Sequence, residues 1–198
     1  MSAYILRMRH SVLGGSSSYS LWRRGLLGLF LTLFLFPMLA YSTPAATDVE
    51  LRVALLFNFM RFTEWPNGAL GAAGAPVTIC IARGDGEMQQ ALRVLEQRTL
   101  RERPVVIQPL ATHREVTACH VVYLPGALPG GRFSDFVDAA SGGGILTVSD
   151  RAGFIDDSGM IGLKLVDNRY QFEVNNSAVR RAELRLHPQL LSLASRVR

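Results

Sequence analysis

The residues able to do chemistry are few and scattered. Ser149-Asp150 closes the apolar run that begins at Ile145, which places it at the carboxyl end of a strand, where open α/β sheets hold ligands. Asp150 there either meets a ligand or caps the next turn, and capping is the simpler account. His187 stands before Pro188 and Leu190-Leu191, so it marks a helix start more readily than a general base, with ligand contact as the alternative. His120 opens a buried run and reads as structural. Gly84-x-Gly86 lies between a strand and a helix, as a dinucleotide fingerprint requires, but Gln89 takes the third glycine position and no acid closes the second strand. A plain turn explains it. Gly142 to Gly144 precedes a strand, the wrong side for cradling a phosphate on a helix N-terminus. There is no nucleophile elbow, no helical His-Glu-x-x-His and no ordered Ser/His/Asp set. The expectation is a binding protein, not an enzyme, with no cofactor and no metal centre.

Cys80 and Cys119 are the only cysteines. In an oxidising compartment an isolated pair is most simply a disulfide, and a zinc site would need more ligands at better spacings. The N-terminus points to that compartment. Arg7, Arg9, Arg23 and Arg24 precede an apolar run from Gly25 to Leu39, followed by Ala40-Tyr41-Ser42. Basic, then apolar, then small-x-small is a secretory signal peptide. The run of about 15 residues is shorter than the ~20 that span a bilayer. We therefore expect a cleaved signal peptide at 1–42, export by the secretory route, and a single domain at 43–198.

Removing the leader also removes the basic character. Four of the 21 lysines and arginines and none of the 16 acids precede residue 43, leaving 17 basic against 16 acidic side chains. A nucleic-acid-binding domain needs a clustered basic surface, and none is visible here.

Strands are expected at Val77–Ala82, Arg103–Leu110, Cys119–Leu124 and Ile145–Ser149, where β-branched and apolar residues run together. Helices are expected between them, at Glu87–Gln97 and Arg132–Ala140, with a short helix or turn at Thr112–Ala118. That alternation predicts a doubly wound α/β three-layer sandwich with a mostly parallel sheet and helices on both faces. A bond between Cys80 and Cys119 requires adjacent first and third strands, hence the order 2-1-3-4. Met160–Val166 and Arg169–Val174 flank Asp167-Asn168, a C-terminal β-hairpin. Asn175 can cap a helix running through Glu183, and Pro188 starts a last helix with Leu190, Leu191, Ala194 and Val197 on its apolar face.

The segment against which the rest is built is Thr47 to Pro66. Thr47 and Glu50 form a capping box, and Pro66 is the stop. At helical spacing Glu50, Ala54, Asn58 and Arg61 share a narrow stripe, and apolar side chains fill nearly all the rest. A helix so apolar is buried on more than one side. Leu56, Phe59, Arg61, Glu64 and Trp65 are therefore candidates for a partner or dimer interface, with Arg61 and Glu64 close enough in sequence to pair locally.

The chain resembles the YfiR-like periplasmic proteins. The likeness lies in Leu55-Leu-Phe-Asn-Phe-Met-Arg-Phe-Thr-Glu-Trp-Pro66, Ile79-Cys-Ile81, Cys119-His-Val-Val-Tyr-Leu124 and Ile145-Leu-Thr-Val-Ser-Asp150. Gly153-Phe154, Gly159-Met-Ile-Gly162, Phe172-Glu-Val-Asn175 and Leu190-Leu-Ser-Leu-Ala194 follow in the same order. The resemblance implies a Rossmann-like, non-catalytic, commonly dimeric domain that represses an inner-membrane diguanylate cyclase by binding its periplasmic region. It also implies an outer-membrane lipoprotein that sequesters the repressor. A periplasmic small-ligand-binding protein, or a weak enzyme, using the carboxyl ends of the strands is the alternative. Two features depart from the family. Some relatives carry a second cysteine pair matching Ile155 to Gly162, absent here, and relatives often have glycine where Glu183 stands.

Overall fold

The computed structural model describes residues 47–198; the expected signal peptide lies outside the described residues. Thr47 starts the fold. Its hydroxyl accepts the Glu50 amide at 3.2 Å, and the Glu50 carboxylate accepts the Thr47 amide at 2.8 Å, so both halves of the capping box are made. Helix α1 (Asp48–Arg61) follows. It ends before Trp65. The Thr63 hydroxyl donates back to the Phe59 carbonyl at 2.7 Å, and strand β1 (Thr63–Glu64) pairs antiparallel with β9 (Arg185–Leu186). Apolar residues continue at helical spacing to Trp65, but the β-branched, fully buried Thr63 suits a strand better than another helical turn.

Helix α1 packs one broad face inward. Val49, Arg52, Val53, Leu56, Phe59 and Met60 are buried; Leu55 and Phe57 are half-buried; Leu51 is exposed beside the polar stripe. The expectation of burial on more than one side is thus corrected to one broad face. Leu56 and Phe59, offered above as interface residues, are 0% and 1% exposed within the domain's own core, and Phe59 stacks on Phe172 at 5.0 Å between ring centroids. They are core residues.

The remaining elements, in order, are β2 (Val77–Ala82), α2 (Gly86–Leu92) with a 3₁₀ turn (Arg93–Gln97), β3 (Thr99–Leu100) and β4 (Arg103–Leu110). A second 3₁₀ segment (His113–Ala118), β5 (Val121–Leu124), α3 (Gly130–Ala140), β6 (Leu146–Ser149), β7 (Ile161–Val166) and β8 (Arg169–Val174) follow. The chain continues with α4 (Asn176–Arg181), β9, α5 (Pro188–Leu193) and β10 (Arg196–Val197). The architecture is mixed α/β. One eight-stranded sheet has the order β10-β8-β7-β6-β5-β2-β4-β3. Neighbours from β4 through β7 are parallel, whereas β7–β8 and β3–β4 are antiparallel hairpins. Asp167 and Asn168 turn the first hairpin with φ of 48° and 60°, the left-handed pair that a two-residue hairpin turn requires.

One face of the sheet packs against α1, α2, α4 and α5 around Leu56, Phe59, Tyr123 and Phe172. The other packs against the second 3₁₀ segment and α3, around Phe133, Phe136 and Phe154. Cys80 on β2 and Cys119 just before β5 are bonded within this second core, with Cα atoms 5.8 Å apart. Towards the C-terminus, α4 stops at Arg181, short of Glu183, which takes a left-handed conformation (φ 61°). Helix α5 ends at Leu193, so Val197, expected on its apolar face, instead lies exposed in β10. The polar loop Ser195 and the pairing of β10 with β8 take the chain out of the helix.

A candidate docking groove beside Trp65

Two regions of the domain gather functional side chains. The first lies where β1 leaves α1. The His187 amide donates to the Phe62 carbonyl at 2.9 Å, and the His187 ring lies 5.9 Å from that of Phe62. These contacts hold β9 and the start of α5 against the end of α1. Pairing of Glu64 with Arg185 then sets Trp65 and Pro66 on one wall of an open groove of about 860 Å³. Leu186 and Leu191 give the groove apolar surface. Glu64, Arg180, Glu183 and Arg185 give it charge, and among the described residues none of the four is in an ion pair. Trp65 is half-buried, and its indole Nε1 is buried without a hydrogen-bond partner.

Of the candidate interface residues, Glu64 and Trp65 line this groove. Arg61 is exposed on the last turn of α1, and the structure shows no ion pair between Arg61 and Glu64, because Glu64 lies on β1 and not on the helix. His187 does not line the groove. Its Nδ1 accepts the Gln189 amide at 3.2 Å and so caps α5. Arg180, Glu183 and Arg185 escaped sequence reasoning, since nothing in the chain links them to Trp65 before β9 pairs with β1.

The second region is the crevice at the carboxyl ends of β2, β5 and β6. It is filled by a side chain that sequence reasoning passed over. Arg52, 8% exposed, reaches across the sheet end from α1. Its NH1 donates to Asp150 Oδ2 at 2.8 Å and to the Tyr123 hydroxyl at 3.3 Å, and lies 3.6 Å from Asp85. Its NH2 pairs with Asp48 at 3.2 Å. Burial pulls the guanidinium's pKa down, but the Tyr123 hydrogen bond and the nearby Asp150 carboxylate outweigh it, and the group is held more firmly protonated than usual. Burial, then the charge of Asp150, pushes the Tyr123 phenol up. Tyr170, which donates to Asp48, is pushed up to about 12, first by burial and then by that bond.

Asp150 is committed on both oxygens, since Oδ1 accepts the Gly126 amide at 2.6 Å. A Cβ on Gly126 would come within 3.2 Å of Asp150 Oδ1 and of the Arg151 backbone, so glycine allows this approach. Asp85 likewise spends Oδ1 on capping α2 through the Met88 amide at 2.9 Å. The crevice therefore works as an internal clamp, joining α1 to three strand ends, and Asp150 and His187 both serve the fold.

Known proteins add the following. No curated protein matches the chain. A solved structure of a conserved domain protein from Vibrio cholerae O1 biovar El Tor str. N16961 superposes with a TM-score of 0.52 at 10% identity, covering 77% of this chain and 60% of that one. The ABC domain in complex with L-Trp from Streptococcus pneumonia superposes with a TM-score of 0.46 at 9% identity, covering 76% of this chain and 62% of that one. The chain thus spans about three fifths of each neighbour's length. At these identities the first likeness speaks to the α/β fold alone, and the second carries no argument. Residues 49–195 match the YfiR/HmsC-like family, and the match takes in all of α1 but Asp48, the eight-stranded sheet except β10, the residues lining the groove and the disulfide. The chain belongs to the YfiR/HmsC-like family.

Proposed function

We propose that this protein is an exported, non-catalytic regulator that docks the periplasmic region of an inner-membrane diguanylate cyclase in the Trp65 groove and so lowers cyclic di-GMP synthesis. The YfiR-like family is a family of periplasmic regulators of diguanylate cyclases. The observation that carries the reading to a surface is the groove itself. It offers a half-buried tryptophan, apolar flanks and four charged side chains outside any described ion pair. Buried aromatic anchors ringed by polar groups are where binding energy concentrates in protein interfaces. Arg61 extends this surface, and a Rossmann-like scaffold, a cleaved leader at 1–42, a homodimer and sequestration by an outer-membrane lipoprotein complete the proposal.

The rival, a small ligand held at the strand carboxyl ends, has less support. Arg52 occupies that crevice, and the carboxylates around it are engaged with Arg52 and with backbone amides. The test is co-purification of the cyclase's periplasmic region with wild-type protein and with Trp65→Ala and Arg185→Glu variants. Retention by wild type and loss by both folded variants supports docking in the groove. Equal retention by all three overturns it.

A further inference from the structure

The groove's Trp65-Pro66 wall continues into a Gly/Ala-rich loop, residues 67–76, that has little apolar surface with which to hold itself. Its conformation is fixed from outside. Arg103, the first residue of β4, donates from NH1 to the carbonyls of Leu70 (2.8 Å), Ala72 (2.7 Å) and Ala75 (3.0 Å), and from NH2 to that of Gly71 (3.4 Å). Arg101 NH2 donates to the Thr63 carbonyl at 2.8 Å, on β1. One guanidinium therefore gathers four loop carbonyls, and a second holds the strand that leads into them. Neither arginine is in an ion pair among the described residues.

The turn that delivers these two arginines is itself strained. Thr99 pairs with Pro104 and Leu100 with Arg103, which leaves Arg101-Glu102 as a two-residue hairpin turn. Both residues are left-handed, with φ of 51° and 66°. Turns of this kind favour Asn-Gly, and non-glycine residues are held there only when their surroundings over-determine them. Hairpin β3–β4 lies at the far edge of the sheet from β10 and adds only two residues of strand. Its arginine contacts with residues 63–75 are what the strain sustains.

We propose that Arg101 and Arg103 are positioning residues for the docking groove: they clamp β1 and the loop after Trp65, and so set the wall against which a partner packs. The functional half rests on the docking reading above; the structural half stands apart from it. Gly144 lies against Pro66 and Ala69 of the same segment. A Cβ there would meet Pro66 at 3.4 Å and Ala69 at 3.6 Å.

The test uses protein expressed from the full-length gene and purified as the cell processes it. Hydrogen exchange is followed at the amides of Ala69, Gly71 and Ala75, which are held in turn hydrogen bonds. Arg103→Ala raises their exchange by about tenfold or more while β2 and β5 stay protected. Arg103→Lys, which can still donate to carbonyls, recovers most of the protection. Arg101→Ala frees the amides around Thr63 and leaves those of the loop unchanged. Binding of the cyclase's periplasmic region falls in the same rank order. Unchanged loop exchange in Arg103→Ala, exchange rising equally in every strand, or no advantage of lysine over alanine overturns the clamp. Failure of the wild-type protein to bind the cyclase region overturns the docking half, while the exchange result still decides the clamp.

Discussion

The Arg52 guanidinium on α1 meets the Asp150 carboxylate beyond β6 at 2.8 Å, across 98 residues of chain. This pair ties the first helix to the ends of the central strands. Arg52→Met removes the positive partner of Asp150 and Asp85, whose remaining contacts are backbone amides. A loss of about 3 kcal/mol is expected, at the low end for breaking buried ion pairs because Asp150 keeps some exposure. Urea unfolding measures it. The double variant Arg52→Met, Asp150→Asn should lose less than the sum of the single changes. Strict additivity would show that the two groups do not act as a pair.

Much of the scaffold was legible in the sequence, and the clamp was not. Runs such as Val77–Ala82 and Ile145–Ser149 are mostly apolar, broken only by the small hydroxyl residues Thr78, Thr147 and Ser149, because both sheet faces are covered, so the strands declare themselves. The capping box, the Asp-Asn hairpin and the cysteine pair are local or rest on one chemical rule. Arg52 was invisible because a lone arginine on an apolar helix acquires meaning only beside Asp85, Tyr123 and Asp150, all distant in sequence. The groove was half legible. Trp65 stood out, but Arg180, Glu183 and Arg185 reach it only through the two-residue pairing of β1 with β9. The end of α1 was misjudged because Phe62 and Trp65 prolong the helical spacing, and the strand partner that captures Thr63 lies 123 residues on at Leu186.

His120 makes stability depend on pH in a predictable direction. Its Nδ1 accepts the Thr78 amide at 2.9 Å. Burial holds its pKa below the usual value, the Ala69 backbone opposes this, and Arg103 adds to it. The folded state thus prefers the neutral ring. The unfolded chain takes up a proton first as pH falls below about 6.5, so stability present above that pH is lost on descending towards the folded pKa. In His120→Asn this component of the slope should vanish in urea unfolding between neutral and mildly acid pH. An unchanged slope would contradict the assignment.

Asp156 titrates in a separate, more acid window. It accepts from Arg196 at 2.6 Å and from Arg198 at 2.8 Å. The Arg196 hydrogen bond holds the carboxyl below the ordinary carboxylate range; desolvation opposes it, and the charge of Arg196 and the bond to Arg198 add to the lowering. The clasp on β10 is therefore complete above the ordinary carboxylate pKa and is lost as pH falls through the lowered one. Backbone exchange at Arg198, whose amide donates to the Val174 carbonyl at 3.0 Å, should rise there and also with salt. Exchange insensitive to both would show that β10 is held by its backbone alone.

The Cys80–Cys119 bridge closes 39 residues. By chain entropy that is worth up to about 4 kcal/mol. Replacing both cysteines by alanine should lower the unfolding midpoint in denaturant accordingly. Since both residues are buried, the native bond should resist mild reductant until the domain opens. Rapid reduction of the folded protein would contradict the buried placement.

Gly159 tolerates no side chain. A Cβ there would lie 2.2 Å from Phe154, whose ring packs edge-on against Phe133 at 5.4 Å. Gly159→Ala should cost about 1–3 kcal/mol through overpacking, read as a lower thermal midpoint. Phe154→Leu in the same background should recover part of that loss by making room. No destabilisation by the alanine would mean that the 154–159 loop is free to move aside.

The central claim is that the Trp65 groove mediates repression, and cellular cyclic di-GMP tests it most directly. The level is measured in a deletion strain and after complementation with the wild-type gene or with Trp65→Ala, protein abundance being matched. The account predicts a rise on deletion, full reversal by wild type and no reversal by Trp65→Ala. No rise on deletion under several growth conditions, or full reversal by the Trp65 variant, would contradict it.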